Sequence, residues 1–367
     1  MTTDVDVTNW LEGVLPRHLR LTTAVVGLIQ SLLSGAEIDF LTVTGRTKSK
    51  PGALEKIDRK AYDSPMLQLT DLSGLRVVVY TESQVQRVSE LISKAFNVDL
   101  KNSMDRDAVL RVDQTGYRSV HFVCDLGEQR AGLPEFNNLG GLKFEIQVRT
   151  VLQHAWAELA HDRNYKLGAK LPRELERKLY LYAGMLEIAD KGFDEISRQI
   201  DEYAKNLKND SKGQLEAAAL DSLSIGEFFA RWAESNKYET KTNPVADALI
   251  RELNSIGLGT IGELKTIEPE GFADRARRFS VNNLTPTGIS RLWMLIHDWR
   301  KIVEPGKINW YVSSEDRYAS LLASYIPEKE LALMYEKFAE QRAKRDAEQK
   351  LLPKLKRPNS GAQRKSR

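Results

Sequence analysis

At 367 residues, with 41% hydrophobic and 29% charged side chains, the chain has room for two folded domains and the balance of a soluble globular protein, which excludes a disordered or membrane-embedded class. A single cysteine, Cys124, excludes an internal disulfide and any multi-cysteine zinc site; lying in an apolar run, it reads as core packing. The net charge of +3 is uneven, because residues 353–367 hold six basic side chains (Lys354, Lys356, Arg357, Arg364, Lys365, Arg367) and no acidic one, the pattern of a solvated tail that can also add affinity for RNA or another polyanion.

The start, MTTDVDVTNW, lacks the basic and apolar regions of a secretory signal, and no apolar run is long enough to span a bilayer. A cytoplasmic protein with no membrane partner is expected. Residues 17–34 place Leu21, Val25, Leu28 and Leu32 at helical spacing before Gly35. The pattern then changes to period two over 39–44, a strand, and LRVVVY at 75–80 reads as a second, more buried strand. Ser83 with Gln86 fits a capping box ahead of a helix carrying Val88, Leu91, Ile92 and Ala95. Residues 99–116 read as a polar, mobile loop, followed by strands at 117–125 and 142–149.

Thr150 with Gln153 repeats the capping pattern and starts a helix to about residue 162, and a longer helix at 172–207 carries Leu175, Leu179, Ala183, Leu186, Phe193, Ile196 and Ile200. The reading is an α+β fold: a mixed-sheet domain with flanking helices over 1–207, a linker over 208–222, an all-α domain over 223–350 and a basic tail over 351–367. In the helical region Thr285–Pro286, Thr260/Glu263 and Gly257 mark helix ends, and Phe228, Trp232, Leu249, Leu253, Trp293, Leu295 and Trp299 read as a bundle core.

Polar side chains gather on particular faces of the predicted strands. Alternation over 142–149 sets Glu145, Gln147 and Arg149 opposite Phe144, Ile146 and Val148, and it places Tyr117, Ser119 and His121 together on the strand before. Asp71 precedes the buried strand, where its carboxylate can project from the sheet end; with Glu145 it can hold Mg²⁺ if nucleotide phosphates supply other ligands. Arg46, Lys48, Lys50 and Lys56 follow the first strand and suit a polyphosphate, although a solvated loop would carry the same charges. His154, Glu158 and His161 share a helix face. They could ligate zinc, but no fourth ligand is apparent, and a polar helix face serves a nucleotide equally well.

The combination VTGRTK (43–48) with Lys56, DLSGLR (71–76), TGYRSVHFV (115–123), EIQVRT (145–150) and HAWAELAHDRNYK (154–166) resembles the RelA/SpoT synthetase domain, over about residues 15–205. It is most similar to the small alarmone synthetases that lack a hydrolase domain. The resemblance implies a nucleotidyltransferase-like fold in which Arg46 and Arg76 sandwich the adenine of ATP and Lys48 and Lys56 hold its phosphates. It implies that Asp71 binds Mg²⁺ and that Glu145 shares the metal or deprotonates the attacking 3′-hydroxyl. Tyr117 would stack on the acceptor base, with His121, Gln147, Arg149 and His154 completing the pocket.

The implied reaction moves the β,γ-diphosphate of ATP to the 3′-hydroxyl of GTP or GDP, making (p)ppGpp. Two departures bear on the acceptor: Asp113 stands where the family commonly has a lysine, and Ala160 where it often has a glutamate. Two alternatives are a toxin-like relative acting on the tRNA 3′-CCA end and a catalytically silent nucleotide- or RNA-binding regulator. For the region 223–350, regulation, recruitment and assembly of a homo-oligomer all remain open.

Overall fold

The computed structural model describes residues 4–105, 119–167, 172–210, 213–241, 245, 247–303 and 308–355. The chain divides into two compact units, Met1–Gln199 and Ile200–Arg367.

In the first unit, α1 (Asp4–Gly35) buries Leu21, Val25, Ile29 and Leu33, spaced every four residues along one face. The helix begins well upstream of residue 17 and continues through Pro16, because Val7, Leu11 and Val14 pack in a separate cluster with Ala53, Leu69 and Leu72. That packing offsets the roughly 3 kcal/mol that an interior proline costs a helix.

Among the described residues six strands form one sheet: β1 (Thr42–Thr47), β2 (Ser73–Val79), β3 (Asn97–Val98), β4 (Met104–Asp105), β5 (Val120–Asp125) and β6 (Phe144–Thr150). Their order is β1-β2-β6-β5-β3, with β4 also on β5. The β2–β6 pair is parallel and the rest are antiparallel, so the fold is the expected mixed α+β. The two shortest strands went unread because two residues cannot display an alternation. The longer helices after α1 are α2 (Lys50–Lys60), α3 (Glu82–Ala95), α4 (Val151–Leu167) and α5 (Arg173–Lys208).

The register assigns the faces. Val43, Leu75, Val77, Phe122, Cys124, Phe144, Ile146 and Val148 lie on one side and form a core with α1 and with Val85, Val88 and Ile92 of α3. Cys124 is buried there, and burial pushes its thiol up to about 12. Buried polar pairs fasten α1 to the sheet. His18 Nδ1 lies 2.8 Å from Ser73 Oγ, and Thr22 Oγ1 lies 3.0 Å from Thr47 Oγ1. Burial, then the adjacent Arg17, lowers the His18 pKa to about 4, so the ring is neutral and structural.

Gly45 is where α1 crosses β1. A Cβ there would stand 2.7 Å from Thr22 Cγ2 and 2.8 Å from Val26 Cγ2, and both methyls belong to β-branched side chains with little rotamer freedom. Gly45→Ala should therefore lower stability by about 1–3 kcal/mol through overpacking. A lower urea midpoint at unchanged m-value is the expected reading, and an unchanged midpoint would mean that α1 can shift without cost.

Two local expectations are corrected. The cap of α3 is Thr81 with Gln84, not Ser83 with Gln86: Thr81 Oγ1 accepts from Gln84 N, and Gln84 Oε1 accepts from Thr81 N. Both tetrapeptides fit the capping pattern, and the earlier end of β2 at Val79, leaving Tyr80 outside the strand, selects the first. The Thr150/Gln153 cap forms as expected, with bonds of 3.0 and 3.1 Å. On α5, Leu175, Phe193, Ile196 and Ile200 are exposed although their spacing suggested burial. Polar contacts attach α5 instead, since Asp190 Oδ2 accepts from Thr150 Oγ1 at 2.6 Å and Asp194 Oδ1 from Ser83 N at 2.8 Å.

The second unit is helical, built on α6 (Ser222–Ser235), α7 (Asp247–Ser255), α8 (Ile261–Thr266), α9 (Phe272–Arg278), α10 (Pro286–Ile302) and α11 (Glu328–Leu355). Its core centres on Trp293, whose ring meets those of Phe228, Phe229, Trp232 and Phe272 edge-on or tilted. Leu249, Leu253, Leu295 and Trp299 belong to the same core, as read from the sequence. Thr285 and Thr260 cap their helices as expected. Arg291 grips the buried Glu252 with two bonds of 2.7 and 2.9 Å. Residues expected as a linker contribute Leu215 and Leu220 to this core, with a short helix at Gln214–Ala217. The last helix enters the expected tail as far as Leu355, and residues 356–367 lie outside the described residues.

Candidate active site

The polar face of the sheet carries the sequence-derived residues in two adjacent rows. One row runs Thr44, Arg76, Gln147, His121 across four strands, and the next runs Arg46, Gly74, Glu145, Val123. Cross-strand partners share a face, so Arg46, Arg76, His121, Glu145 and Gln147 project to the same side. Gly74 was missed by sequence reasoning. A Cβ at Gly74 would meet nothing closer than the Arg46 carbonyl oxygen at 3.9 Å, so the glycine leaves open space between Arg46 and Glu145. A glycine inside a strand was the available signal.

Asp71 sits at the entry to β2 and collects two lysines from the chain after β1. Its Oδ2 lies 3.0 Å from Lys48 Nζ and 2.6 Å from Lys56 Nζ. Ser49 caps α2, placing Lys56 within reach, and the Lys48 amide donates to the Leu72 carbonyl at 2.8 Å, fixing the loop beside β2. The other carboxylate oxygen, Oδ1, is buried and has no hydrogen-bond partner among the described residues. Lys50 instead pairs with Glu12 of α1 at 2.6 Å.

Glu145 is held by its neighbours on the sheet. Gln147 Nε2 donates to Glu145 Oε1 at 2.8 Å, and His121 Nδ1 lies 2.9 Å from the same oxygen. Burial pushes the Glu145 pKa up, but the His121 and Gln147 bonds, with the nearby charges of His121 and Lys56, outweigh it and hold the group at about 2. Lys56 thus touches Asp71 and also acts on Glu145, linking the two carboxylates electrostatically. The chain continues on both sides: Arg149 Nη2 donates to Gln147 Oε1 at 2.8 Å, and Ser119 Oγ lies 2.6 Å from His121 Nε2.

Arg76 reaches across to α4. Its Nη1 lies 2.7 Å from Glu158 Oε1 and 3.5 Å from His154 Nδ1. Burial, then Arg76, holds His154 below the ordinary histidine range. Arg46 is exposed and makes no ion pair among the described residues. Tyr117, Gly116 and Asp113 lie outside the described residues, as do the side chains of His161 and Ala160.

Among the described residues, no three His, Cys, Asp or Glu side chains gather to hold a metal unaided. A magnesium ion is compatible with this arrangement, because it takes one or two carboxylates and completes its shell with water and phosphate oxygens. Asp71 fits such an ion, having one oxygen committed to lysines and the other buried without a partner among the described residues. Two carboxylates, two lysines and two arginines around an open strand glycine can bind a polyanion and stabilise charge moving along it.

Residues 45–170 match the family model described as the region found in RelA / SpoT proteins. The chain is similar to the GTP pyrophosphokinase YjbM of Bacillus subtilis (strain 168), 27% identical over 175 residues, which are 47% of this chain and 78% of that protein. Among solved structures it is similar to a GTP pyrophosphokinase family protein from Streptococcus pneumoniae at 24% identity and TM-score 0.45, covering 53% of this chain and 96% of the other. It is also similar to small alarmone synthetase 1 from Bacillus subtilis bound to its product pppGpp, at 25% identity and TM-score 0.44, with coverages of 52% and 98%. Among the described residues no helix is long and apolar enough to cross a membrane.

Proposed function

Because the chain carries a RelA/SpoT-type synthetase domain, we propose that it is a GTP pyrophosphokinase that transfers the β,γ-diphosphate of ATP to the 3′-hydroxyl of GTP or GDP. The observation that carries this reading is Asp71, clamped through one oxygen by Lys48 and Lys56 while its other oxygen is buried and has no partner among the described residues. Asp71 and Glu145 would hold Mg²⁺. When bound, that ion supplies charge neutralisation to the transferred phosphoryl groups.

Lys48 and Lys56 are placed to exchange the Asp71 carboxylate for phosphate oxygens, and Arg46 and Arg76 offer planar guanidinium faces to a purine. Glu145, anionic at any neutral pH, accepts the hydrogen bond of the attacking hydroxyl, and His121 and Gln147 keep its carboxylate oriented. Tyr117, Arg149 and His154 are assigned to the acceptor side. The reaction forms a bond from the acceptor 3′-oxygen to the β-phosphorus and breaks the bond from that phosphorus to the α,β-bridging oxygen, so AMP leaves.

The test is incubation of the purified chain with γ-labelled ATP, Mg²⁺ and GTP, GDP or deacylated tRNA in parallel. Label in a guanosine product, with one AMP formed per transfer, is expected. Label in tRNA alone would replace the acceptor, and ADP in place of AMP would reject diphosphate transfer.

A further inference from the structure

The two arginines assigned to the donor base are held differently in the free protein. Arg76 Nη1 donates to Glu158 Oε1 at 2.7 Å, with His154 Nδ1 3.5 Å from the same nitrogen. Arg46, on the neighbouring strand, is exposed and makes no ion pair among the described residues. One guanidinium is therefore anchored and the other is loose.

The anchor is not a stability device. The Glu158 side chain is 59% exposed and that of Arg76 30%, and an ion pair so open to water contributes little to folding. Its geometry points to another use. A hydrogen bond to Nη1 lies in the guanidinium plane, so it fixes the direction of that plane while leaving both faces open to a flat ring. An arginine oriented beforehand gives up less rotamer freedom when a ligand stacks on it.

The helix that carries Glu158 is itself fastened. At its start the Thr150 and Gln153 cap closes with two bonds, and Thr150 Oγ1 donates to the buried Asp190 at 2.6 Å. Glu158 follows two turns into α4, on the face it shares with His154. Among the described residues Arg76 is the one lysine or arginine that the carboxylate meets. No other cation competes there for Glu158.

We propose that Glu158 is a positioning residue, which sets the plane of Arg76 before the nucleotide arrives and so strengthens binding of the donor purine without touching the phosphates. The inference rests on the diphosphate-transfer reading for the identity of that purine, so its test measures binding and needs no turnover. The sign of the effect is diagnostic. Removing a negative charge near a polyphosphate would by itself tighten binding, whereas losing the orientation of Arg76 weakens it.

The probes are α,β-methylene-ATP and inorganic tripolyphosphate, each titrated by calorimetry with Mg²⁺ into the full chain. Glu158→Ala should bind the ATP analogue about tenfold more weakly, the scale of ordering one long side chain, while tripolyphosphate, which has no base, binds as to wild type. Glu158→Gln keeps an oxygen that accepts from Nη1 and should stay within about twofold of wild type for both probes. On an Arg76→Ala background, itself weakened for the analogue, adding Glu158→Ala should change nothing further, because the residue acts through Arg76. All variants should melt with wild type, since Glu158 is exposed. Unchanged or tighter analogue binding by Glu158→Ala, an equal loss for tripolyphosphate, or a further loss on the Arg76→Ala background would each overturn the proposal alone. A wild type that binds tripolyphosphate but gains nothing from the adenosine of the analogue would overturn the donor-site reading, and this inference with it.

Discussion

Replacing Asp71 with asparagine is expected to reduce diphosphate transfer by about 1,000-fold or more, because the change removes the charge of the proposed metal site while keeping its shape. In the free protein that carboxylate is the shared partner of Lys48 and Lys56. Both lysine side chains keep some exposure, near one fifth, and can turn toward water once the acid is gone. The fold should therefore survive, with a melting temperature close to wild type. The decisive measurement is the single-turnover rate with saturating ATP and GTP, made alongside calorimetric binding of a non-hydrolysable ATP analogue. Transfer within tenfold of wild type in a folded variant would remove Asp71 from the metal site. A large loss of transfer with folding retained is the predicted result, and raising Mg²⁺ should recover little of it.

Glu145→Gln should cost about 100-fold or more in kcat, the scale for losing one charged group aimed at the reacting atoms. The wild-type carboxylate has a pKa drawn down to about 2 despite its burial, since His121 and Gln147 stabilise the anion. A folded-state pKa below the ordinary value of 4.5 means a stability contribution complete above about pH 4.5 and lost as pH falls toward 2. Glutamine cannot make that contribution, so the variant should also show a shallower acid limb of unfolding between those limits. Gln147→Ala separates orientation from charge. It leaves the carboxylate in place, removes one of its two fixed partners, and should lower kcat by about tenfold while leaving the KM for ATP nearly unchanged. If both variants instead raised the KM for ATP with kcat preserved, Glu145 would be a nucleotide-binding group rather than one acting on the hydroxyl.

Much of the first unit was legible because strand alternation and register are strict. The opposition of Glu145, Gln147 and Arg149 to Phe144, Ile146 and Val148 follows from a period of two, and β6 keeps it. The carboxylates and basic groups could be named in advance because the order of their motifs along the chain resembles that of the RelA/SpoT synthetase domain. Their partners could not be. Nothing in the linear pattern says that Lys48 and Lys56 close on Asp71, that His121 meets Glu145 across a strand pair, or that Arg76 reaches Glu158 from a strand to a helix. Those contacts join residues separated by up to 82 positions, and only strand order and helix packing set such distances.

Local readings failed where two choices had equal propensity. The α3 cap could begin at Thr81 or Ser83, and the end of β2 decided it. The first helix was read only over 17–34, and the packing of Val7, Leu11 and Val14 extends it back through Pro16. The sequence alone determined the mixed sheet, the helical second unit and the residue types of the site, because hydrophobic period and motif order are properties of the chain. Tertiary structure decided which charges meet, that Gly45 and Gly74 are places of close packing and open space, and that Leu175, Phe193, Ile196 and Ile200 of α5 are exposed. Each of these depends on what lies opposite a residue in space, and periodicity along the chain carries no information about that.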